Sequence, residues 1–321
     1  METEIKIPQT LKEAIELFSD EEFSFNFLVN FRWPEGVKCP FCGSIARHAF
    51  IKTRKTWQCK ECKKRFTIKV GSIMEDSPLP LSTWFAAMWL ISNAKNGISS
   101  YEVARALGVT QKTGWFLLHR VRHIMQTGSV EKMSGPIEVD ETFIGGLEKN
   151  KHTSKKQNAG RGGVGKQIVM GILERGIEKG ESKVRTKVVS DTGKDTLQSE
   201  IKAQVEPGAE VYTDAHKGYH GLDEDFKHAF VDHAIAYAEG RVHTNGIENF
   251  WSLFDRMLGG TYIHIDPRHL ASYFDEESYR FNHQKTSDAG RFLTALMAIT
   301  GKRLTWEELT ERGLAHIAPK E

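Results

Sequence analysis

No uninterrupted apolar run in this 321-residue chain approaches the roughly 20 residues that a bilayer-crossing helix needs, so no helical membrane span is expected. The opening METEIKIPQT lacks the basic-then-apolar order of a secretory signal, and a cytoplasmic, reducing compartment follows as the expectation. Cysteine is scarce: there are four, and none lies outside residues 39–62. A strong overall charge is missing too, with a net of +2. That near-balance hides an uneven distribution, because Lys and Arg crowd residues 47–69 and 149–166, which suggests local basic surfaces for a polyanion. A hydrophobic content of 39% supplies a packed core and sets the chain apart from disordered sequences; its length allows two or three domains.

The four cysteines form two C-x-x-C knuckles, Cys39 and Cys42 in CPFCG and Cys59 and Cys62 in CKECKKRF. This is the spacing of a zinc ribbon, in which thiolates at i and i+3 clamp one side of a tetrahedral ion. Two disulfides would use the same residues, but a reducing compartment opposes them, and a thioredoxin-like redox pair would need a βαβ context that is absent. One structural Zn2+ is therefore expected, with no open ligand position. Such an ion typically contributes about 10–16 kcal/mol to folding, which a segment this small needs. Within and beside the ribbon lie Lys52, Arg54, Lys55, Trp57, Lys63, Lys64 and Arg65. Basic residues interleaved with an aromatic suit phosphate contact and base stacking; a protein-docking ribbon is the alternative.

After the Pro-rich break DSPLPLS, the stretch TWFAAMWLISNAKNG has helical length and apolar spacing and ends at Gly97. Next, Ser99 or Ser100 caps a short helix through Leu107, GVT makes a tight turn, and residues 111–125 form a second helix. This is helix-turn-helix spacing. In that motif the start of the second helix, here Thr110, Gln111, Lys112 and Thr113, reaches base edges.

From about residue 134 the pattern changes to strands. PIEVDETFIGG alternates, with Ile137, Val139 and Phe143 on one face and Glu138, Asp140 and Thr142 on the other. The Gly- and Lys-rich stretch that follows reads as a mobile loop; QIVMGILER and SKVRTKVVSD complete an antiparallel meander, GKDTLQSEIKAQV is helical, and AEVYTDAHKGY is a fourth strand ending at Asp214. The order βββαβα belongs to the ribonuclease H-like fold, whose first and fourth strands lie side by side, so Asp140 and Asp214 can approach. Glu248 sits in the first turn of a helix begun by Thr244 or Asn245, whose Ile247, Phe250, Trp251 and Phe254 would cover the sheet. Close carboxylates repel unless a divalent cation sits among them. Two Mg2+ or Mn2+ ions on these hard oxygen ligands would clamp the attacking and leaving oxygens of an in-line displacement at phosphorus. Glu138 shares the face of Asp140 and could support it, whereas Glu141 points the other way and is expected to pair with a Lys or Arg. His216 and Lys217 could meet DNA phosphate, although an exposed loop pair is the simpler account.

Five segments, FRWPEGVKCPFCGS, WQCKECKKRFTIKVGSIMEDSPLPLSTWFAAMW, VDETFIGG, VYTDAHKGY and HTNGIENFWSLFDRMLGGTYIHI, occur in an order that resembles DDE-class insertion-sequence transposases with an N-terminal zinc ribbon, the ISXO-like group. The likeness covers roughly residues 13–285. It implies a bacterial-type, nucleoid-associated enzyme that binds its element's terminal inverted repeats, cuts at the ends and joins the freed 3′-OH to target DNA as a homo-oligomer. Asp140, Asp214 and Glu248 match the acidic triad, whose third member is Asn in some relatives; Asn245 and His243 take supporting places. The family's basic residue two turns past the third acid is Asp255 here, with Arg256 next to it as a substitute.

The expected architecture is therefore multi-domain α/β: N-terminal helices and zinc ribbon over 1–75, a helix-turn-helix-like region over 76–133, a ribonuclease H-like domain over 134–285, and a helical C-terminal segment over 286–321 with no readable motif. The rival readings are a DNA-binding regulator whose acids no longer catalyse and a structure-specific nuclease of the same fold.

Overall fold

In the computed structural model, residues 6–126, 131–145, 165–231 and 241–310 are described. Most of the Gly- and Lys-rich stretch after the acidic strand, and the last residues of the C-terminal segment, lie outside them. The chain divides into two compact units, Met1–Met125 with Thr286–Glu321, and Gln126–Lys285.

The first unit begins with two capped helices. Thr10 accepts from the Glu13 N–H at the start of α1 (Leu11–Phe18), and Asp20 accepts from Glu22 and Phe23 at the start of α2 (Glu21–Arg32), satisfying N–H groups that have no helical partner. Then comes a small antiparallel sheet of β1 (His48–Ile51), β2 (Thr56–Cys59) and β3 (Arg65–Thr67), in that order. The next helix, α3 (Leu81–Asn93), buries Trp84, Phe85, Met88, Trp89 and Ile91, more than one face of the helix, as befits the centre of a bundle. Ser99 and Glu102 close a reciprocal capping box on α4 (Ser100–Leu107), and Gly108 ends it in the left-handed conformation at φ 66°. α5 (Gln111–Met125) crosses so close that a Cβ on Gly114 would lie 2.9 Å from the Ser100 carbonyl oxygen.

The C-terminal segment is not a separate appendage. Phe292 on α9 (Asp288–Met297) is fully buried, and its ring lies 5.6 Å from Phe18 and 5.4 Å from Trp89. The Ile73 N–H donates to the Ile299 carbonyl and the Gly301 N–H to that of Gly71, so the segment closes the unit around α3. It ends in α10 (Trp306–Leu309), which carries a capping box of its own.

The second unit is built on a five-stranded mixed sheet: β4 (Ile137–Ile144), β5 (Gln167–Glu174), β6 (Lys183–Val189), β7 (Glu210–Asp214) and β8 (Lys227–Val231), ordered β6-β5-β4-β7-β8. The first three are antiparallel neighbours, and β7 joins β4 in parallel, followed by β8 in parallel. The strand β8 was not anticipated; its KHAFV is only five residues long.

Helices cover both faces. Ile137, Val139, Met170, Ile172 and Val211 meet Leu197 and Ile201 of α6 (Lys194–Gln204). On the other face Val169, Leu173 and Val184 meet Ile247, Phe250 and Phe254 of α7 (Asn245–Met257) and Phe274 of α8 (Leu270–Asn282). Phe254 and Phe274 stack at 3.7 Å. The face of β4 that carries Glu138 and Asp140 is therefore roofed by α7, and these acids are placed where burial makes their charge costly.

Candidate active site

Asp140 and Asp214 are brought level by strand register. Ile137 pairs with Val211 and Glu138 with Tyr212, where the parallel ladder ends; two residues further along each strand come Asp140 and Asp214, close enough for the charge of Asp214 to act on Asp140. Both then point to the α7 side. Above them, the indole N–H of Trp251 donates to Asp140 Oδ2 at 2.9 Å. That ring needs space, and Gly171, opposite Asp140 on β5, provides it: a Cβ there would lie 2.6 Å from Trp251 and 2.7 Å from Ile247. Sequence reading passed over Gly171, whose only signal was a glycine interrupting an apolar strand. Glu248, in the first turn of α7, accepts from the Thr244 hydroxyl at 2.7 Å, and Asp214 accepts from the His216 N–H at 2.9 Å.

The electrostatics tie the three acids together. Burial pushes the Asp140 carboxyl up to about 6; the charges of Asp214 and Glu248 push the same way, against the Trp251 N–H. An excess of negative charge on hard oxygen ligands suits a divalent cation such as Mg2+ or Mn2+, and in chemistry the donors fit. Among the described residues, however, only the four cysteines bring their ligand atoms all within 4.8 Å of one another, so the three acids are a looser set than the sulfurs.

Glu141 departs from expectation. Among the described residues no Lys or Arg pairs with it; the Tyr219 hydroxyl donates to its Oε1. Burial pushes Glu141 up to about 7, with Asp140 and Asp214 adding to the effect. Only the first two residues of β4 pair with β7, so the turn after β7 can bring Tyr219 beneath the outer half of β4. Tyr219 in turn is raised well above an ordinary phenol, chiefly by burial and next by Glu141.

The supporting residues divide. His243 Nδ1 lies 2.9 Å from Arg175 Nη2, while Asn245 is exposed at the start of α7. Arg256 is exposed; burial raises the Glu277 carboxyl of α8, and the Arg256 charge is a small effect against that rise, behind Arg280. Asp255 is exposed beside it. His216 caps the turn 217–219 by accepting from the Gly218 N–H, and Lys217 is exposed.

In the first unit the sulfurs of Cys39 and Cys62 lie 3.7 Å apart, as do those of Cys42 and Cys59. A tetrahedron with Zn–S bonds of about 2.3 Å has edges of about 3.8 Å, so the four sulfurs fit one zinc ion. Gly43 and Lys63, each following the second cysteine of its knuckle, take left-handed backbone at φ 73° and 63°.

Of the basic residues, Lys52, Arg54, Lys63, Lys64 and Arg65 are exposed. Lys55 is exposed too, with its ammonium 5.5 Å from the Phe25 ring. Trp57 corrects the sequence reading: it is 6% exposed, stacked between Phe25 and Phe66 and edge-on to Trp33 at 5.3 Å. It is the core of the ribbon and offers no face to a base. Gln111 donates to the Ser100 hydroxyl at 2.9 Å, and the Lys112 ammonium lies 4.4 Å over the Trp306 ring.

A roofed mixed sheet whose buried Asp140 feels the charges of Asp214 and Glu248, on a chain that also holds a four-cysteine ribbon, defines a class: α/β proteins with a separate zinc-ribbon element. The comparisons give that class a family. Residues 132–282 match the ISXO2-like transposase domain and residues 19–65 the transposase zinc-ribbon domain. The chain thus carries the two domains of an insertion-sequence transposase of the ISXO-like group. It is 26% identical over 259 residues to an uncharacterised protein in transposable element ISH50 of Halobacterium salinarum, covering 76% of this chain and 85% of that one. No solved structure matches it.

Proposed function

We propose that this protein is the DDE-type transposase of an insertion sequence, binding the terminal inverted repeats of its element, cutting at the ends and joining the released 3′-OH to target DNA. The observation that supports this reading is that Asp140 on β4 feels the charges of both Asp214, at the end of β7, and Glu248, in the first turn of α7. The strand order, an antiparallel trio extended by two parallel strands, supports a ribonuclease H-like sheet.

Asp140, Asp214 and Glu248 would hold the divalent ions, which when bound supply charge stabilisation at the attacking and leaving oxygens of the phosphodiester. The chain's own residues orient and exclude. Trp251 fixes the Asp140 carboxylate by its N–H and shields one side from water, Thr244 fixes Glu248, and Tyr219 fixes Glu141 at the rim. Lys52, Arg54, Lys55, Lys63, Lys64 and Arg65 would contact phosphate, and Gln111 and Lys112 would reach bases from the start of α5.

Incubating the protein with labelled element ends, a target plasmid and Mg2+ tests the reading. Joined product is expected. Cleavage without joining would assign a nuclease instead, and binding alone a regulator; retention of full joining by Asp140→Ala or Asp214→Ala would overturn the assignment of the acids.

A further inference from the structure

Glu138 lies two residues before Asp140 on the same face of β4 and is only 1% exposed. Its Oε1 accepts from Arg175 Nε at 2.6 Å, and its Oε2 accepts from the backbone N–H of Ile247, in the first turn of α7, at 2.9 Å. Arg175 has a wider reach. Its Nη1 donates to the Arg241 carbonyl at 2.8 Å, its Nη2 to the His243 carbonyl at 2.7 Å, and its guanidinium lies 4.6 Å over the ring of Tyr212 on β7. One ion pair thus joins β4, β7, the chain entering α7 and the helix itself.

The chemistry explains why these residue types are needed. An ionised carboxylate so deep is tolerated only with charge and hydrogen bonds around it. Arg175 supplies the charge, and the start of α7 supplies an N–H without a helical partner together with the positive end of the helix dipole. Gly246 leaves the approach open: a Cβ there would lie 2.8 Å from Glu138 Oε2. Ile247, the residue held, immediately precedes Glu248.

We propose that Glu138 and Arg175 are positioning residues, which lock the first turn of α7 so that Glu248 is presented to Asp140 and Asp214. The inference rests on the reading of those three acids as the reaction centre. It goes beyond that reading by assigning a role to an acid that is not in the triad and to an arginine that no motif marks. A displacement of about 1 Å at such a centre can cost about a hundredfold in rate, so the pair matters without touching the reacting atoms.

The test uses the full zinc-loaded chain with Glu138→Gln, which keeps size and removes charge, and Arg175→Lys, which keeps charge and removes the fork. Three readouts are taken: amide hydrogen exchange over residues 245–250, Mn2+ affinity by calorimetry, and strand joining. Exchange in the first turn of α7 is expected to quicken at least about tenfold, and Mn2+ affinity to weaken about 10–100-fold. Adding Glu138→Gln to Glu248→Ala should lower Mn2+ affinity no further than Glu248→Ala alone, because both act through one ligand. Unchanged exchange, parental Mn2+ affinity, or full additivity with Glu248→Ala would overturn the proposal. If the parent neither binds Mn2+ nor joins ends while both variants still loosen α7, the reading of the function fails and the anchor remains a purely structural one. Should Glu138→Gln not fold, Arg175→Lys carries the same comparison.

Discussion

At Asp140 the sheet and its roof oppose the charge that the proposed metal site would need. Its carboxyl, ordinarily at 3.8, is pushed to about 6 by burial first and by Asp214 and Glu248 next. Between those two values the folded protein holds a proton that the unfolded chain has lost. The contribution of this group to stability, in buffer without added divalent ions, is therefore complete below about pH 4 and lost as the pH rises through 6, about 3 kcal/mol in all. Asp140→Asn should remove that part of the slope, raise stability at pH 7.5 by on the order of 1–3 kcal/mol in urea unfolding, and abolish joining; a variant no more stable than the parent would contradict the burial argument. Gly171→Ala makes the opposite case. With a Cβ 2.6 Å from Trp251, it should cost about 1–3 kcal/mol by the same measurement and displace the indole that holds Asp140.

Among elements, the zinc ribbon and the α4–α5 pair separate what spacing reveals from what packing hides. The knuckles, a serine cap at Ser99 or Ser100, and the glycine turn at Gly108 were readable, because each is a local rule acting within a few residues; the structure settles the cap on Ser99, closed by Glu102. The burial of Trp57 was not, since the rings that enclose it, Phe25, Trp33 and Phe66, come from α2, the chain just after α2, and β3. Trp57→Ala should therefore act on folding, costing about 3–5 kcal/mol and flattening the near-ultraviolet circular dichroism of the ribbon. Lys52→Ala and Arg54→Ala should leave the fold intact and weaken binding to end DNA and unrelated DNA alike. Each should reduce the slope of log affinity against log salt by about 1. A loss confined to the element's own ends would place these residues at bases instead of phosphates.

For the whole molecule, the division of the chain into two units predicts how it comes apart. Removing zinc with a chelator should unfold the ribbon, which loses a contribution of about 10–16 kcal/mol, and weaken end binding, while the mixed sheet keeps its own melting transition. Deleting residues 286–321 should damage the first unit just as severely, because Phe292 fills the space between Phe18 and Trp89. Scanning calorimetry distinguishes the outcomes: the truncated chain should lose the transition of the first unit and keep that of the sheet. Loss of the sheet's transition instead would show that the C-terminal segment had been assigned to the wrong partner.

The sequence by itself determined what depends on near neighbours. It marked the four zinc ligands, the helix starts and turns, the period-two strand around Asp140, and the family motifs that single out Asp140, Asp214 and Glu248. The tertiary structure decided which charges are buried and with what. It covered one face of β4 with α7, gave Glu138, which the sequence offered only as a possible support for Asp140, its partners Arg175 and Ile247, and set Glu141 against Tyr219. It also placed the unmarked C-terminal helix α9 in the core of the first unit. The difference is physical: a cap, a turn or a knuckle is satisfied within a few residues, whereas the cost of burying a carboxylate is set by groups that only the folded chain brings near.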